Sequence, residues 1–224
     1  MRKSIVLFGL LFVLSVNAQQ KRTLGSYTKL NVKGSFDVRL VQGKTETTIS
    51  TSDKSVLEHI KTEISGDKLN IYMDGNSWNR KTGDIKIELP YTTLNEISLN
   101  GSGSIDADGT IAADNLKISV SGSGDIELSI NSKNAIGEVA GSGDLTLSGT
   151  TVNFEGKIVG SGDLKASKFK AENTTVEVAG SGDANVYASG NLQARVIGSG
   201  DIKYSGNPKK EDTKVSGSGN IEKD

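Results

Sequence analysis

The sequence predicts an all-β fold, a parallel single-stranded β-helix (β-solenoid) with coils of about 19 residues. Gly-Ser-Gly triplets recur at intervals of 18 to 21 residues between Gly101 and Gly217. Apolar and polar residues alternate on both sides of each triplet, and an Asn stands seven residues before five of them. Together these three regularities indicate stacked equivalent coils, because no single coil could bury its apolar face alone.

The first element of the chain reads as a secretory leader over residues 1–18. Arg2 and Lys3 precede an apolar run of about twelve residues, and the run ends at the small-residue site Val16-Asn17-Ala18. That run is too short to cross a bilayer, so we expect export to the periplasm, the cell surface or the medium without a membrane-spanning segment. Residues 19–224 are then expected to form one domain.

The N-terminal part of this domain, residues 24–100, is β-rich but less regular. Alternation predicts strands at 27–32, 36–41, 47–51, 68–73 and 84–89. Val56, Leu57 and Ile60 follow Ser52 and Asp53 at helical spacing, which predicts one short capped helix. The segment Gly34-Ser35-Phe36-Asp37 fits the later triplets as a degenerate coil.

The regular repeats occupy residues 101–221. Aliphatic residues stand two positions before every triplet, and apolar residues stand four positions after its first Gly, as strands entering and leaving a turn require. The glycines of the triplets are therefore expected at structural turns: Gly122, Gly124, Gly141, Gly143, Gly160, Gly162, Gly180, Gly182, Gly198 and Gly200.

A second periodic position carries asparagine. Because Asn accommodates corners and its amide both donates and accepts, we expect a hydrogen-bonded asparagine ladder through Asn115, Asn134, Asn153, Asn173 and Asn191. The spacing breaks at Asn207, which is followed by Pro208 and four charged residues. That coil is expected to have a distorted or protruding corner.

Composition excludes several classes of site. The 224 residues include no Cys and one His, which removes zinc fingers, iron–sulfur clusters and Cys nucleophiles. A Ser-His-Asp triad would depend on His59 alone, and we assign that residue no chemistry. The formal charge of −1 gives no reason to expect a nucleic-acid partner.

An aspartate follows five of the triplets, and it is the sharpest chemical candidate. Two interpretations remain open for this row: a structural turn, which we favour, and a calcium file. No other cofactor is expected, and we predict no catalytic residue. The row consists of Asp125, Asp144, Asp163, Asp183 and Asp201.

Trp78 stands in a polar, turn-rich loop close to Arg80. Its position predicts either that Trp78 contacts a partner or that its side chain folds back over the end of the solenoid.

Three stretches resemble a known family. The sequence LNVKGSFDV at 30–38, the segment 85–90 and the recurring Gly-Ser-Gly-Asp are similar to the head GIN domain family of auto-transporter adhesins, secreted β-solenoids of Bacteroidetes type. The resemblance covers about residues 24–221. It implies the β-solenoid fold and an adhesin role, and it brings no catalytic motif.

The functional prediction is an exported, non-enzymatic scaffold that binds an extracellular glycan or an envelope protein. Two alternatives stay open: a polysaccharide-active β-helix lyase or hydrolase, and a periplasmic sensory or envelope-stress module. The sequence leaves the oligomeric state open.

Overall fold

The computed structural model of the protein describes residues 18–75 and 84–224, which form one 17-stranded sheet coiled into a β-solenoid. Within these residues the single helical element is a 3-10 turn at Lys54–Val56. The strands of these described segments are β1 Ala18–Arg22, β2 Lys29–Gly34, β3 Asp37–Gln42, β4 Thr47–Thr51, β5 Ile60–Ser65, β6 Lys68–Met73, β7 Ile85–Tyr91, β8 Glu96–Gly101, β9 Ser104–Gly122, β10 Asp125–Gly141, β11 Leu145–Gly160, β12 Leu164–Gly180, β13 Ala184–Tyr187, β14 Asn191–Gly198, β15 Ile202–Ser205, β16 Lys210–Gly217 and β17 Ile221–Lys223.

The regular coils stack in parallel and in register, which confirms the predicted fold. Strand β10 pairs with β9 on one side and with β11 on the other, and Gly141 lies opposite both Gly122 and Gly160. The same register continues through β12, β14 and β16. Equivalent positions of successive coils therefore form columns along the solenoid axis, about 4.8 Å apart.

The N-terminal strands stack in an order that differs from their order in the chain. Strands β2 and β3 form a coil that pairs with β8 and β9, so that Gly34 lies opposite Gly101. Strands β6 and β7 pair in parallel with the other side of β2 and β3. The second coil in chain order, β6 and β7, therefore stacks on one side of the first coil, β2 and β3. The chain then returns to the other side of that first coil with β8 and β9.

Antiparallel strands cover this end of the solenoid. Strand β5 pairs with β6, β4 pairs with β7, and β1 pairs with β4. The predicted helix is reduced to the 3-10 turn, whose Asp53 carboxylate accepts a 2.9 Å hydrogen bond from the Ser55 amide. Ile60 begins β5 instead of ending a helix, and it is buried all the same.

The core consists mainly of aliphatic columns, with a few aromatic rings such as Phe36, Phe154 and Phe169 among them. Phe154 and Phe169 pack edge to face with ring centroids 5.3 Å apart. Small residues make room for their bulky neighbours: a Cβ on Gly156 would lie 2.6 Å from the Leu164 side chain. Burial of each large aliphatic side chain contributes about 1.5–3 kcal/mol.

The last coil presents polar residues at positions that face the core in earlier coils. Glu211 lies opposite Leu192, and Thr213 lies opposite Ala194. The Tyr204 hydroxyl donates a 3.0 Å hydrogen bond to Glu211, which draws that carboxylate across the end of the core. The asparagine column ends here, because Lys210 takes the place opposite Asn191.

The glycine corners bring successive coils into backbone contact. The Gly141 carbonyl accepts hydrogen bonds from the Ser161 and Gly162 amides, at 2.8 and 3.0 Å. A Cβ on Gly162 would lie 2.1 Å from the Gly143 carbonyl oxygen, which is far inside van der Waals contact. These positions require glycine because the neighbouring backbone occupies the space of a side chain.

We predict that Gly162→Ala lowers the free energy of unfolding by about 3 kcal/mol, because the clash is with backbone that cannot move alone. The matched control is Gly109→Ala, at a glycine with φ of +90° and open space around it. This control should lose only about 1–2 kcal/mol, from backbone strain. Urea denaturation followed by circular dichroism measures both values. Equal losses would contradict the steric explanation.

Candidate binding surface

The Gly-Ser-Gly corners display one serine side chain per coil on an outer edge of the solenoid. The corner backbone directs its own amides and carbonyls to the adjacent coils, so the serine side chain is left to face solvent. None of these hydroxyls has a hydrogen-bond partner among the described residues. We call this set the serine row: Ser35, Ser102, Ser123, Ser142, Ser161, Ser181, Ser199 and Ser218, all exposed.

The aspartate row runs beside the serine row, and its carboxylates bond to the backbone of the next coil. Asp144 Oδ1 accepts from the Asp163 amide at 3.2 Å, and Asp163 Oδ1 accepts from the Asp183 amide at 3.1 Å. The same contact joins Asp125 to Asp144, Asp183 to Asp201, and Asp201 to Asn220. Each side chain therefore supplies an acceptor to the following turn.

One carboxylate of this row also forms an ion pair. Lys165 Nζ contacts Asp144 Oδ2, and the hydrogen bond raises the pKa of the lysine. The described residues contain no group of three or more His, Asp or Glu placed to hold a metal ion. The geometry shown is that of a hydrogen-bonded turn, and the calcium interpretation stays open to experiment.

A shallow depression of about 360 Å³ lies at the N-terminal end of the aspartate row. Arg39 donates a 2.8 Å hydrogen bond to Asp106, which raises the pKa of the arginine, and Ser104 donates to Asp37 at 3.0 Å. The charged groups in this depression thus largely satisfy one another.

The asparagine ladder lies at a separate corner of the coils. Asn134 Nδ2 donates to Asn115 Oδ1 at 2.8 Å, and Asn153 donates to Asn134 at the same distance. The bonds continue to Asn173 at 3.0 Å and to Asn191 at 2.5 Å. The structure therefore places all five residues in one chain of side-chain amides.

A second asparagine chain, which sequence reasoning missed, crosses the N-terminal coils. Asn31 donates to Asn70 at 2.8 Å, and Asn100 donates to Asn31 at 2.9 Å. A signal for it exists, because Lys-Leu-Asn followed by Val or Ile occurs at both 29–32 and 68–71, and these segments pair in register.

Two predicted features fall outside the described residues. Trp78 and Arg80 belong to the segment 76–83, and most of the expected leader belongs to 1–17. In the described part of the chain, no helix has the length and apolarity to cross a membrane.

His59 offers no nucleophilic site. Its Nδ1 lies 3.1 Å from Asp74 Oδ1. Hydrogen bonds from Lys61, which has the larger effect, and from His59 lower the pKa of the Asp74 carboxyl group. Within 18–75 and 84–224, no serine hydroxyl is hydrogen-bonded to the imidazole, so a Ser-His pair is not assembled there.

The chain is similar to known proteins over most of its length. The family model described as "Putative auto-transporter adhesin, head GIN domain" matches residues 26–208. No curated protein matches. A crystal structure described as a putative adhesin from Bacteroides fragilis is 24% identical, with a TM-score of 0.87, and the match covers 94% of this chain and 98% of that one.

Two crystal structures from Parabacteroides distasonis also match with a TM-score of 0.75. One is described as a putative lipid binding protein; it is 26% identical, with 93% of this chain and 96% of that chain covered. The other is described as a putative adhesin; it is 21% identical, with 94% and 98% covered. These similarities support the solenoid fold over nearly the whole chain.

We predict that Asp163→Ala lowers the free energy of unfolding by about 1 kcal/mol, because the Asp183 amide loses its acceptor. Asp163→Asn is the matched control: it keeps an oxygen at the same place and should cost less than about 0.5 kcal/mol. Thermal and urea unfolding of both variants give the comparison. If Asn were as costly as Ala, the negative charge and not the hydrogen bond would be the essential property.

We also predict that calcium does not bind the aspartate row. Isothermal titration of residues 19–224 with calcium chloride should give no heat of binding, and the melting temperature should not rise. Saturable heat that disappears in Asp163→Asn would establish the calcium file instead.

Proposed function

Because the chain belongs to the head GIN domain family, we propose that it is a non-enzymatic adhesion scaffold that binds an extended extracellular glycan along its Gly-Ser-Gly-Asp edge. The single observation that carries the proposal is the serine row: eight exposed hydroxyls in line, one on each of eight stacked corners. A regular array of this kind suits a partner that is itself a repeating polar polymer.

The chemistry of the edge fits hydroxyl-rich ligands. A serine hydroxyl both donates and accepts a hydrogen bond, and the adjacent carboxylate oxygens accept from sugar hydroxyls. The aspartate Oδ1 atoms already bond to backbone, but a carboxylate oxygen has further acceptor capacity. The corner amides are hydrogen-bonded to the preceding coil, so the row is preorganised and little entropy is lost on binding.

A scaffold role agrees better than an enzymatic role with the described side chains. Glycoside hydrolysis commonly uses a pair of carboxyl groups, one of them protonated, on either side of a bound sugar. The aspartates of this edge lie instead in a line, each occupied by a turn amide. The family resemblance also supplies no catalytic residue.

Export is the part of the proposal that depends on the leader predicted at residues 1–18. The basic start, the apolar run and the small-residue site support cleavage after Ala18. An adhesion role then places the scaffold in the periplasm, on the cell surface or in the medium.

The test is binding of immobilised residues 19–224 to an array of neutral and acidic polysaccharides. We predict that Ser142→Ala, Ser161→Ala and Ser181→Ala combined weaken retention at least about tenfold, because three hydrogen-bonding groups are lost without a change in the backbone. The control combines alanine at Ser26, Ser52 and Ser167, which are exposed away from this edge.

Equal loss in both triple variants, or retention of no polysaccharide, would contradict a glycan partner. Capture of envelope proteins that depends on the serine row would instead identify a protein partner. Release of sugar fragments by the wild-type chain would overturn the non-enzymatic assignment.

A further inference from the structure

The outer side of the strand segments that lead into the Gly-Ser-Gly corners forms a second surface, which ends two residues before the serine row in each coil. It comprises three columns across six coils, and we call it the lateral face. Its first column is Lys117, Ile136, Glu155, Thr175, Gln193 and Asp212; its second is Ser119, Glu138, Lys157, Glu177, Arg195 and Lys214; its third is Ser121, Ala140, Val159, Ala179, Ile197 and Ser216.

The third column is apolar at its centre, which is unusual for a solvent-facing column. Val159 and Ile197 are 48% and 54% exposed, and they alternate with Ala140 and Ala179. Large and small side chains therefore follow one another along the axis, as knobs and holes do.

The second column carries alternating charges, so that positions equally far from the middle of the face have opposite signs. From coil to coil it reads Glu138, Lys157, Glu177 and Arg195. A two-fold axis lying between the coils of Lys157 and Glu177, parallel to the strands, would bring a second copy face to face with the coil order reversed. This operation keeps each column over itself.

Under this symmetry every charged residue of the second column in the four central coils meets its opposite. Lys157 of each copy faces Glu177 of the other copy. Glu138 of each copy faces Arg195 of the other. The apolar column fits the same operation, since Val159 then covers Ala179 of the second copy.

The outer coils extend the match. Lys117 pairs with Glu138 at 2.8 Å, and Arg195 pairs with Asp212 at 3.1 Å, within one chain. The two-fold operation places Lys117 against Asp212 of the second copy, and Glu138 against Arg195 of the second copy. Opposite charges therefore face each other. No like charges are opposed in this register, in contrast to its neighbours.

Registers shifted by one coil are disfavoured. One shift places Glu138 against Glu177 of the second copy and opposes the two copies of Lys157. The other shift opposes Lys157 to Arg195. Of these three registers, the charge order favours the one centred between Lys157 and Glu177, which is how complementary interfaces acquire specificity. A shift of two coils also sets Glu138 against Lys157 of the second copy, but it leaves fewer coils of the face in contact.

We propose that the lateral face is a homodimer interface in which two solenoids pack antiparallel, with Lys157 and Glu177 forming its central ion pairs. Six coils of about 4.8 Å by strand segments of about 17 Å give an area of about 490 Å² per copy. The total of about 1,000 Å² for both copies lies in the range of weak, transient complexes, so we expect a reversible dimer. The proposal does not depend on the glycan edge, which lies on a different side of each coil.

Sedimentation velocity of residues 19–224 between about 1 and 300 µM tests the proposal, and we expect a concentration-dependent monomer–dimer equilibrium. Lys157→Glu should raise the dissociation constant at least about tenfold, because the symmetry creates two like-charge contacts. The double variant Lys157→Glu with Glu177→Lys restores both pairs and should return the constant to within about threefold of wild type.

Lys168→Glu is the matched control. It changes the net charge equally on an exposed residue outside the lateral face, and it should leave association unchanged. Ile197→Ser provides a second variant, which should weaken association by loss of the apolar contact with Ala140. A circular dichroism melt of each variant verifies folding. A wild-type chain that stays monomeric at every concentration, or a double variant that fails to recover, would overturn the proposal.

Discussion

The close backbone contact between glycine corners is the constraint on which the rest of the structure depends. At each corner one carbonyl accepts two amides of the next coil, as Gly141 does from Ser161 and Gly162. The contact is possible only without a Cβ, and it fixes where each coil begins relative to its neighbour. Because side chains alternate with a period of two, this one alignment sets the core columns, both polar rows of the edge and the asparagine ladder together.

The two ends of the solenoid limit further stacking by different means. At the N-terminal end, β1, β4 and β5 run antiparallel and cover β6 and β7. At the other end, the final coil replaces core residues by Glu211 and Thr213, and Tyr204 holds the glutamate over the last aliphatic layer. Polar inward positions make further stacking of apolar coils unfavourable, which limits end-to-end aggregation.

The regular half of the fold could be predicted from sequence because its contacts repeat at a fixed separation. A triplet at Gly141 and another at Gly160 suffice to align two coils, and parallel pairing follows from translation. The N-terminal half could not be predicted in the same way, because β6 pairs with β2 across 39 residues and only one short repeat, Lys-Leu-Asn, marks that partner. The local pattern predicts a helix at Ile60 for a related reason: the burial of Ile60 depends on its pairing with β6, which the local pattern does not reveal.

Candidate sites were predictable only where they repeat. The aspartate and asparagine columns follow from periodicity, whereas the Asn70, Asn31 and Asn100 chain joins positions of unequal spacing. The lateral face has no sequence motif at all, because its charge order becomes meaningful only when coils are placed in register. Trp78 is a single residue in a segment beyond the described ones, so its two interpretations remain predictions.

The uniform glycine register also makes the length of the solenoid adjustable. At every corner from Gly122 to Gly198, the carbonyl of the first glycine accepts two amides of the next coil. The Ser and Gly amides of the same corner donate to the equivalent carbonyl of the previous coil, so the backbone contact between coils is the same throughout. A duplication or loss of one whole coil in the gene would reproduce the same backbone contact at the corner, although different side chains would stack above and below it. The reach of the molecule can therefore change in steps of one coil, about 4.8 Å, while its two ends are inherited intact.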